Sequence, residues 1–209
     1  MTEMYGKCIQ GDHTISKKDV VEFFNELAPN WEKDLEVDAE KINAILDIAE
    51  VRPGVRVLDV ACGTGVLFPF YRQRSAAYVL AVDIAPGMAQ IAAEKAAPQI
   101  HVVCDDIQAM NGTGDYDCCV VYNAFPHFPD PTGLVRDLAA WLRPGGRLTV
   151  AHSMGAEQLN RHHSGHAAKV STDLLPAPDL AEIFRQWFRV DTVISNEEEY
   201  IVSGTRGLW

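Results

Sequence analysis

Acidic residues lie at the ends of three predicted strands and are the side chains best placed for ligand chemistry. Asp59 lies within the stretch VLDVACGTG, Asp83 ends the stretch YVLAVD, and Asp105 and Asp106 follow IHVVC. Because the carboxyl ends of parallel strands meet at one edge of a sheet, we expect these acids to surround one crevice. A single acid at a strand end usually belongs to a turn, but acids at three successive strand ends indicate a ligand site.

The glycine turn after the first of these strands distinguishes between two kinds of ligand. A dinucleotide site needs the pattern GxGxxG, but here Gly63 and Gly65 are followed by Phe68. Asp59 would also place a carboxylate beside the phosphates of a dinucleotide. A ligand with an adenosine end, an ammonium and a positive sulfonium suits this acid, and S-adenosylmethionine is such a ligand. The alternative is a structural aspartate that accepts backbone amides of the turn.

Each strand-end acid then has a predicted role toward this cofactor. Asp59 accepts a hydrogen bond from the amino group, and Asp83 accepts from both ribose hydroxyls. Asp105 or Asp106 accepts from the adenine amino group, while Ile107 packs on the adenine ring. The sequence thus predicts carboxylates along the whole length of the cofactor.

Histidines are the candidate catalytic groups. Methyl transfer needs in-line positioning and removal of a proton from the nucleophile. The fourth predicted strand ends in YNAFPHF, so Asn123 and His127 can reach toward the methyl group. Three further candidates, His152, His162 and His166, begin or lie within a connection of 28 residues, HSMGAEQLNRHHSGHAAKVSTDLLPAPD. Connections of about 2 to 6 residues are common, so we expect a lid or part of the substrate site. We predict that at least one of these histidines is a general base or contacts substrate.

The same histidines support a second hypothesis, a metal-assisted reaction. If the connection is helical, His162 and His166 lie on one face, and His152 could approach from the strand end. Three imidazoles suit a divalent zinc, iron or nickel ion, which would lower the pKa of the acceptor. Gly165 interrupts such a helix and the motif HExxH is missing. A histidine-bearing lid that only contacts solvent or substrate therefore stays open as an alternative.

The elements that position these residues alternate between strands and helices. Short apolar strands separate the helical patterns, and the last two strands, RVDTVIS and EYIVSGTR, predict an antiparallel hairpin. This order is typical of an α/β, doubly wound and mostly parallel sheet. We predict one compact unit with an N-terminal helical cap over residues 1–50 and a Rossmann-like domain over residues 51–209. The predicted helices cover residues 17–28, 39–49, 66–74, 86–97, 131–142 and 179–187.

Composition narrows the classes of partner. The chain has 209 residues and a formal net charge of -11 at pH 7, which disfavours nucleic acid and anionic membranes because both need clustered Lys and Arg. Its 5 cysteines contain no CxxC pair and are expected to be reduced thiols. We find neither an apolar run of signal-peptide length nor one of membrane-spanning length. We expect a cytoplasmic protein, monomeric or homodimeric, that acts on a small molecule.

The ordered motifs resemble those of class I S-adenosylmethionine-dependent methyltransferases. VLDVACGTG, VLAVDIAPGMAQIAAEKA, VVCDDIQ, YDCCVVYNAFPHF and LRPGGRLTVAH follow one another at the spacing of that fold, over about residues 30–206. The resemblance implies seven strands in the order 3214576 with the last strand antiparallel. This chain departs from the family pattern DxGxGxG at Ala61. The start FFNELAPNWEKD is similar to the quinone-biosynthesis-type, methyltransferase-11-like branch. On that analogy Trp31 caps cofactor or substrate, although it could equally be a buried anchor.

The expected function is therefore methyl transfer to an oxygen, nitrogen or sulfur atom of a small acceptor. The alternatives are the metal-assisted reaction, a cofactor-binding regulatory module without catalysis, and a nicotinamide oxidoreductase, which Asp59 and Phe68 oppose. The predicted cofactor-binding set is Trp31, Asp59, Ala61, Gly63, Gly65, Asp83, Ile84, Met88, Asp105, Asp106, Ile107 and Asn123.

Overall fold

Seven strands and seven α-helices form the part of the chain described by the computed structural model, which covers residues 15–33, 35–163 and 168–207. The strands are β1 Arg56–Val60, β2 Tyr78–Asp83, β3 Ile100–Cys104, β4 Tyr116–Tyr122, β5 Leu142–His152, β6 Phe188–Ser195 and β7 Tyr200–Arg206. The helices are α1 Lys17–Leu27, α2 Ala39–Ile48, α3 Phe68–Gln73, α4 Pro86–Lys95, α5 Pro131–Trp141, α6 Ala156–His163 and α7 Ala177–Phe184. Two 3-10 helices cover Ala28–Asn30 and Phe125–His127.

The strands make one sheet in the order β3-β2-β1-β4-β5-β7-β6. Strands β1 to β5 pair in parallel, whereas β7 runs antiparallel to both β5 and β6. The predicted strand order and the antiparallel hairpin are therefore confirmed. The order reverses between β1 and β4, where doubly wound sheets bind ligands at the carboxyl ends of the strands.

Helices cover both faces of the sheet, which is why its central strands are almost wholly apolar. Leu58 and Val60 of β1 pack in the same cluster as α5 and α7. Val57 faces the other way, toward α2 and α3. The strand alternation turns Asp59 to the side of Val57, so this acid is an exception in a buried apolar strand.

The N-terminal helices α1 and α2 pack against different parts of the structure. Helix α2 packs its Ile42 and Leu46 into the cluster beneath the sheet. Helix α1 instead lies against α4 and over the carboxyl edge of the sheet, with Phe24 and the following Trp31 packed near Met88. We call residues 15–33 the cap. The predicted division of the chain at residue 50 stays a prediction.

Two turns explain where the predicted and observed bounds differ. Helix α3 begins at Phe68 rather than at residue 66, since the turn before it contains Gly65 with a non-helical φ of 85°. A Cβ added to Gly65 would lie 2.7 Å from the Phe68 ring, so only glycine fits there. Strand β5 begins at Leu142, before the predicted break at Gly145 and Gly146. Leu142 pairs with Tyr116 of β4, and the register shifts before regular pairing resumes at Arg147.

Helix α5 offers a local test of stability. The side chain of Asp130 accepts a 2.9 Å hydrogen bond from the amide of Gly133 and so caps the first turn. We expect Asp130→Ala to lower the free energy of unfolding by about 1 kcal/mol, measured by urea denaturation. Asp130→Asn retains an accepting oxygen and should lose much less. Equal losses in both variants would contradict the capping role.

Candidate active site

A deep cavity opens at the carboxyl edge of the sheet, beneath the cap. The empty space at this edge, counted out into the open mouth, is about 1200 Å³. Most of the predicted site residues line this cavity. They are Trp31, Ala61, Gly63, Asp83, Ile84, Met88, Asp105, Asp106, Ile107, Asn123 and His127.

The turn after β1 forms the floor of the cavity. The amide of Cys62 donates to the carbonyl of Val82, and the amide of Gly65 donates to the carbonyl of Cys62. Ala61 and Gly63 have φ values of 54° and 57°, in the region that favours glycine. A left-handed residue with a Cβ costs about 1–2 kcal/mol, so Ala61 stores strain where the family pattern has glycine. Gly65 shapes the turn without lining the cavity.

Asp83 ties this turn to the end of β2. Its carboxylate accepts hydrogen bonds from the amides of Gly63, at 2.8 Å, and Ala85, at 2.9 Å. Burial raises the pKa of Asp83, and these two amides act in the opposite direction. The carboxylate also lines the cavity, so it can support the turn and accept from a ligand at the same time.

Asp59 lies beneath the turn and does not line the cavity. Its side chain is buried and the residue is 2% exposed. Burial, and secondarily the negative charge of Asp83, raises the pKa of Asp59 from 3.8 to about 8. The Tyr71 hydroxyl is a hydrogen-bonding neighbour that acts in the opposite direction, although neither it nor Asp59 Oδ2 makes a hydrogen bond of good geometry among the described residues. The direct bond from Asp59 to a cofactor ammonium stays a prediction.

The pKa of Asp59 predicts how stability depends on pH. A carboxyl whose pKa is raised by folding contributes most to stability below its unfolded value, and the contribution is lost as the pH rises to the folded value. Because of this group, we expect the free energy of unfolding to decrease as the pH rises from about 4 to 8, by up to about 1.4 kcal/mol per pH unit. Asp59→Asn should remove this dependence, measured by urea denaturation at pH 5.5 and 8. Identical pH dependence in both proteins would contradict it.

The acids after β3 are already engaged at the adenine end of the predicted site. Asp105 Oδ1 accepts from the amide of Asp106 at 2.7 Å, and Asp106 Oδ1 accepts from the amide of Gln108 at 3.0 Å. The second oxygen of Asp106 pairs with the ammonium of Lys17 in α1. Lys17, which the sequence analysis missed, therefore joins the cap to this end of the cavity.

Two further contacts join the cap to the cofactor end. Asn25 Oδ1 accepts from the amide of Gly87 at 2.7 Å, in the first turn of α4. The Lys95 ammonium donates to the carbonyl of Thr64 at 2.8 Å and pairs with Glu32 of the cap. The polar contacts of the cap are thus directed at the glycine turn, at α4 and at the adenine end.

His127 lies on the opposite side of the cavity, among aromatic residues. Its Nδ1 is 2.9 Å from the carbonyl oxygen of Val170, which can only accept, so Nδ1 carries the proton of the neutral ring. The remaining nitrogen, Nε2, is then the proton-accepting atom. Phe24 of the cap packs edge-on against the His127 ring at 4.8 Å between centroids, and Trp31 packs 5.8 Å from Phe24.

The end of β4 is fixed by its neighbour. Asn123 has a φ of 53° and its side chain is held by Ser153: Oδ1 accepts from the Ser153 amide at 2.9 Å and Nδ2 donates to Ser153 Oγ at 3.0 Å. Lys41 donates to the carbonyl of Ser153 at 2.9 Å. Tyr122 also lines the cavity, and burial raises the pKa of its hydroxyl, so it is neutral at physiological pH.

His152 does not line the cavity to which His127 belongs. His152 is 0% exposed and lies at the end of β5, with its ring 5.9 Å from that of Tyr200 on the paired strand β7. It is not part of the cavity wall, because the pairing of β5 with β7 turns it into the core. His162 lies in α6, but its side chain lies outside the described residues, as does the whole of His166.

No group of three potential metal ligands occurs among residues 15–33, 35–163 and 168–207. The predicted metal set of His152, His162 and His166 includes groups outside these residues, so it stays a prediction. In the same part, no helix is long and apolar enough to cross a bilayer.

Sequence comparisons agree with the motifs. Residues 57–146 match the family described as a methyltransferase domain. A ubiquinone biosynthesis O-methyltransferase from Xanthomonas oryzae pv. oryzae (strain PXO99A) is 34% identical over 120 residues, which are 55% of this chain and 48% of that protein. The homologous enzyme from Xanthomonas campestris pv. campestris (strain B100) is 34% identical over 104 residues, 47% of this chain and 43% of that protein. The chain thus spans about half the length of the curated relatives it matches.

Solved structures agree on the fold. Magnesium protoporphyrin IX methyltransferase from Synechocystis PCC 6803, solved with bound SAH, superposes with a TM-score of 0.70 at 19% identity, over 91% of this chain and 99% of that chain. The N-methyltransferase NodS from Bradyrhizobium japonicum WM9 gives 0.68 at 15% identity, over 92% and 99%. The cyclase SpnF gives 0.69 at 17% identity, over 88% and 77%, so this fold alone does not specify methyl transfer. Together the matches confirm the predicted resemblance and agree with the predicted branch.

Proposed function

We propose that this chain, whose residues 57–146 match the methyltransferase domain family, transfers a methyl group from S-adenosylmethionine to a small acceptor that is largely apolar and carries no negative charge. The observation that carries the proposal is the cavity itself. It joins the strand-end carboxylates to a wall of aromatic side chains and to His127. An oxygen acceptor is our first candidate, since the curated relatives are named O-methyltransferases.

The cofactor is assigned to the half of the cavity above β1, β2 and β3. Asp83 fits the ribose because it lines the cavity at the end of β2, beside the glycine turn. Ile84 and Ile107 flank this part of the wall and suit the faces of a flat adenine ring. When bound, S-adenosylmethionine would supply an electrophilic methyl group on a positive sulfur.

The acceptor is assigned to the half lined by the cap and by the end of β4. Phe24, Trp31 and Phe128 offer flat apolar surfaces that suit a ring-bearing molecule. Among the described residues that line the cavity, Lys17 is the one lysine or arginine, and Asp106 neutralises it. A carboxylate or phosphate on the acceptor would find no unpaired lysine or arginine there, which supports an acceptor without negative charge.

His127 is the proposed general base. The Val170 carbonyl fixes its tautomer and orients Nε2, which can take the proton of the nucleophile as that atom attacks the methyl group. Phe24 packs against the ring and helps to exclude water. Positioning of this kind provides much of the rate enhancement of a displacement reaction, with about 7–11 kcal/mol available from alignment.

A two-part experiment tests the proposal. Isothermal titration of the purified chain should show binding of S-adenosylmethionine and none of NADH. Formation of S-adenosylhomocysteine should then be measured with neutral phenols, with amines and thiols, and with phenols that carry a carboxylate. We expect turnover with uncharged ring-bearing acceptors and little with their carboxylated counterparts. Absence of cofactor binding would reject the proposal, and binding without turnover in any class would favour the regulatory module.

A further inference from the structure

Two carboxyl groups lie on the same side of β1 and β2, because Asp59 pairs with Ala81 and Asp83 follows two residues later, and their surroundings differ. Asp83 accepts hydrogen bonds from two backbone amides, which stabilise its negative charge. Asp59 is buried in the central strand, between Ala81 of β2 and Val120 of β4, and the Tyr71 hydroxyl is the one hydrogen-bonding side chain among the described residues that acts on its charge. Two neighbouring buried carboxyls do not both ionise readily, so the better-solvated Asp83 keeps the charge.

The other titratable groups that face Asp59 are neutral. They come from three elements, namely Tyr71 on α3, Cys62 in the turn and Cys119 on β4. Burial is the main cause that raises the pKa of each of these groups above its ordinary value, so each is neutral at physiological pH. Among the described groups that act on Asp59, none supplies a positive charge. In the cofactor-free protein a proton on Asp59 is therefore the available source of compensation.

We propose that Asp59 is protonated in the cofactor-free protein and releases its proton when a positively charged cofactor binds above the Ala61–Gly65 turn. The O–H bond of the carboxyl breaks, the electron pair stays on Asp59, and the proton passes to the buffer. The ammonium and sulfonium of the ligand then compensate the new carboxylate. This inference rests on the proposed function, and it makes Asp59 a determinant of specificity for a cationic cofactor.

Proton release makes affinity depend on pH in a defined direction. If one proton is released on binding, the dissociation constant of S-adenosylmethionine falls by up to about tenfold for each unit that the pH rises, at pH values below the pKa of Asp59. Between pH 5.5 and 7 we expect a continuous tightening of binding. A dissociation constant that stays flat over this interval would overturn the inference.

Calorimetry measures the proton directly. Titrations of S-adenosylmethionine at pH 6.5 in phosphate and in imidazole differ in apparent enthalpy in proportion to the protons that the buffer takes up. We expect release of up to one proton per bound cofactor in the wild type and in Asp115→Asn, which alters an exposed acid before β4. Asp59→Asn should bind without this release. Binding by the wild type with no release would overturn the inference and leave the proposed function intact, whereas absence of binding would reject both.

His127 and Asp83 line the cavity and could also exchange a proton, so each needs its own variant, and Asp83→Asn should retain the proton release per bound cofactor. His127→Gln should retain the proton release of the wild type. If release disappears in His127→Gln and persists in Asp59→Asn, the inference is wrong. Should Asp59→Asn fail to fold, the wild-type pH series together with His127→Gln and Asp83→Asn still decides the outcome, since loss of release in either variant would assign the proton to that residue and overturn the inference.

Discussion

Replacement of His127 by glutamine is expected to lower kcat by about 10²–10⁴-fold and to leave the dissociation constant of the cofactor unchanged. Glutamine keeps a polar side chain of similar reach but cannot take up a proton at neutral pH. The contacts of His127 with Phe24 and with the Val170 carbonyl lie on the acceptor side, away from Asp83 and the glycine turn. The rate should be measured as S-adenosylhomocysteine formation at saturating cofactor, with an acceptor from the screen above.

The pH profile separates a base from a residue that only shapes the cavity. The wild-type rate should fall as the pH decreases below the neutral range, because a protonated imidazole cannot accept the proton of the nucleophile. His127→Gln should lose this limb of the profile. His101→Gln serves as the control, since His101 stacks on Tyr78 at the β3 edge and should behave as the wild type. An unchanged kcat in His127→Gln would remove this residue from the mechanism.

Asp83→Ala is the second variant with a large expected effect, here on cofactor binding. The change removes an acceptor that lines the cavity and also the two hydrogen bonds from Gly63 and Ala85 that fix the turn. Charge-assisted hydrogen bonds contribute roughly 1.5–3 kcal/mol, so we expect the dissociation constant to rise by about 10- to 150-fold. Isothermal titration provides the measurement.

Two companion variants make this result interpretable. Asp115→Ala removes an exposed acid from the opposite end of the sheet and should leave the affinity unchanged. Asp83→Asn retains a side-chain oxygen that can accept from one backbone amide and should give an intermediate loss. If all three variants bind S-adenosylmethionine as the wild type does, Asp83 has no part in the cofactor site.

The site residues that the sequence predicted best are those at the ends of strands. Alternation of apolar strands with helices predicted the sheet, and the end of each strand placed Asp83, Asp105 and Asp106 at one edge. Only the direction in which each side chain points was left open. For Asp59 it follows from strand alternation, because this residue shares the side of Val57 and so faces α3 rather than the cavity.

The contacts that the sequence did not reveal join residues far apart in the chain. His152 stands in the core because β7 pairs beside β5, and an antiparallel partner that arrives near residue 200 is not visible in the local pattern around the histidine. Lys17 meets Asp106 across 89 positions. The pair of Lys17 and Asp106 depends on how helix α1 docks on α4, which hydrophobic periodicity does not determine.

In the cap, the residues proposed to support cofactor binding are different from those proposed to select the acceptor. Its polar groups Lys17, Asn25 and Glu32 contact the half of the cavity proposed for the cofactor, while Phe24 and Trp31 line the half proposed for the acceptor. Exchanging the two aromatic rings for smaller apolar side chains should therefore broaden the range of molecules methylated without loss of cofactor affinity. In that arrangement one short N-terminal segment sets the choice of acceptor independently of the residues at the sheet edge.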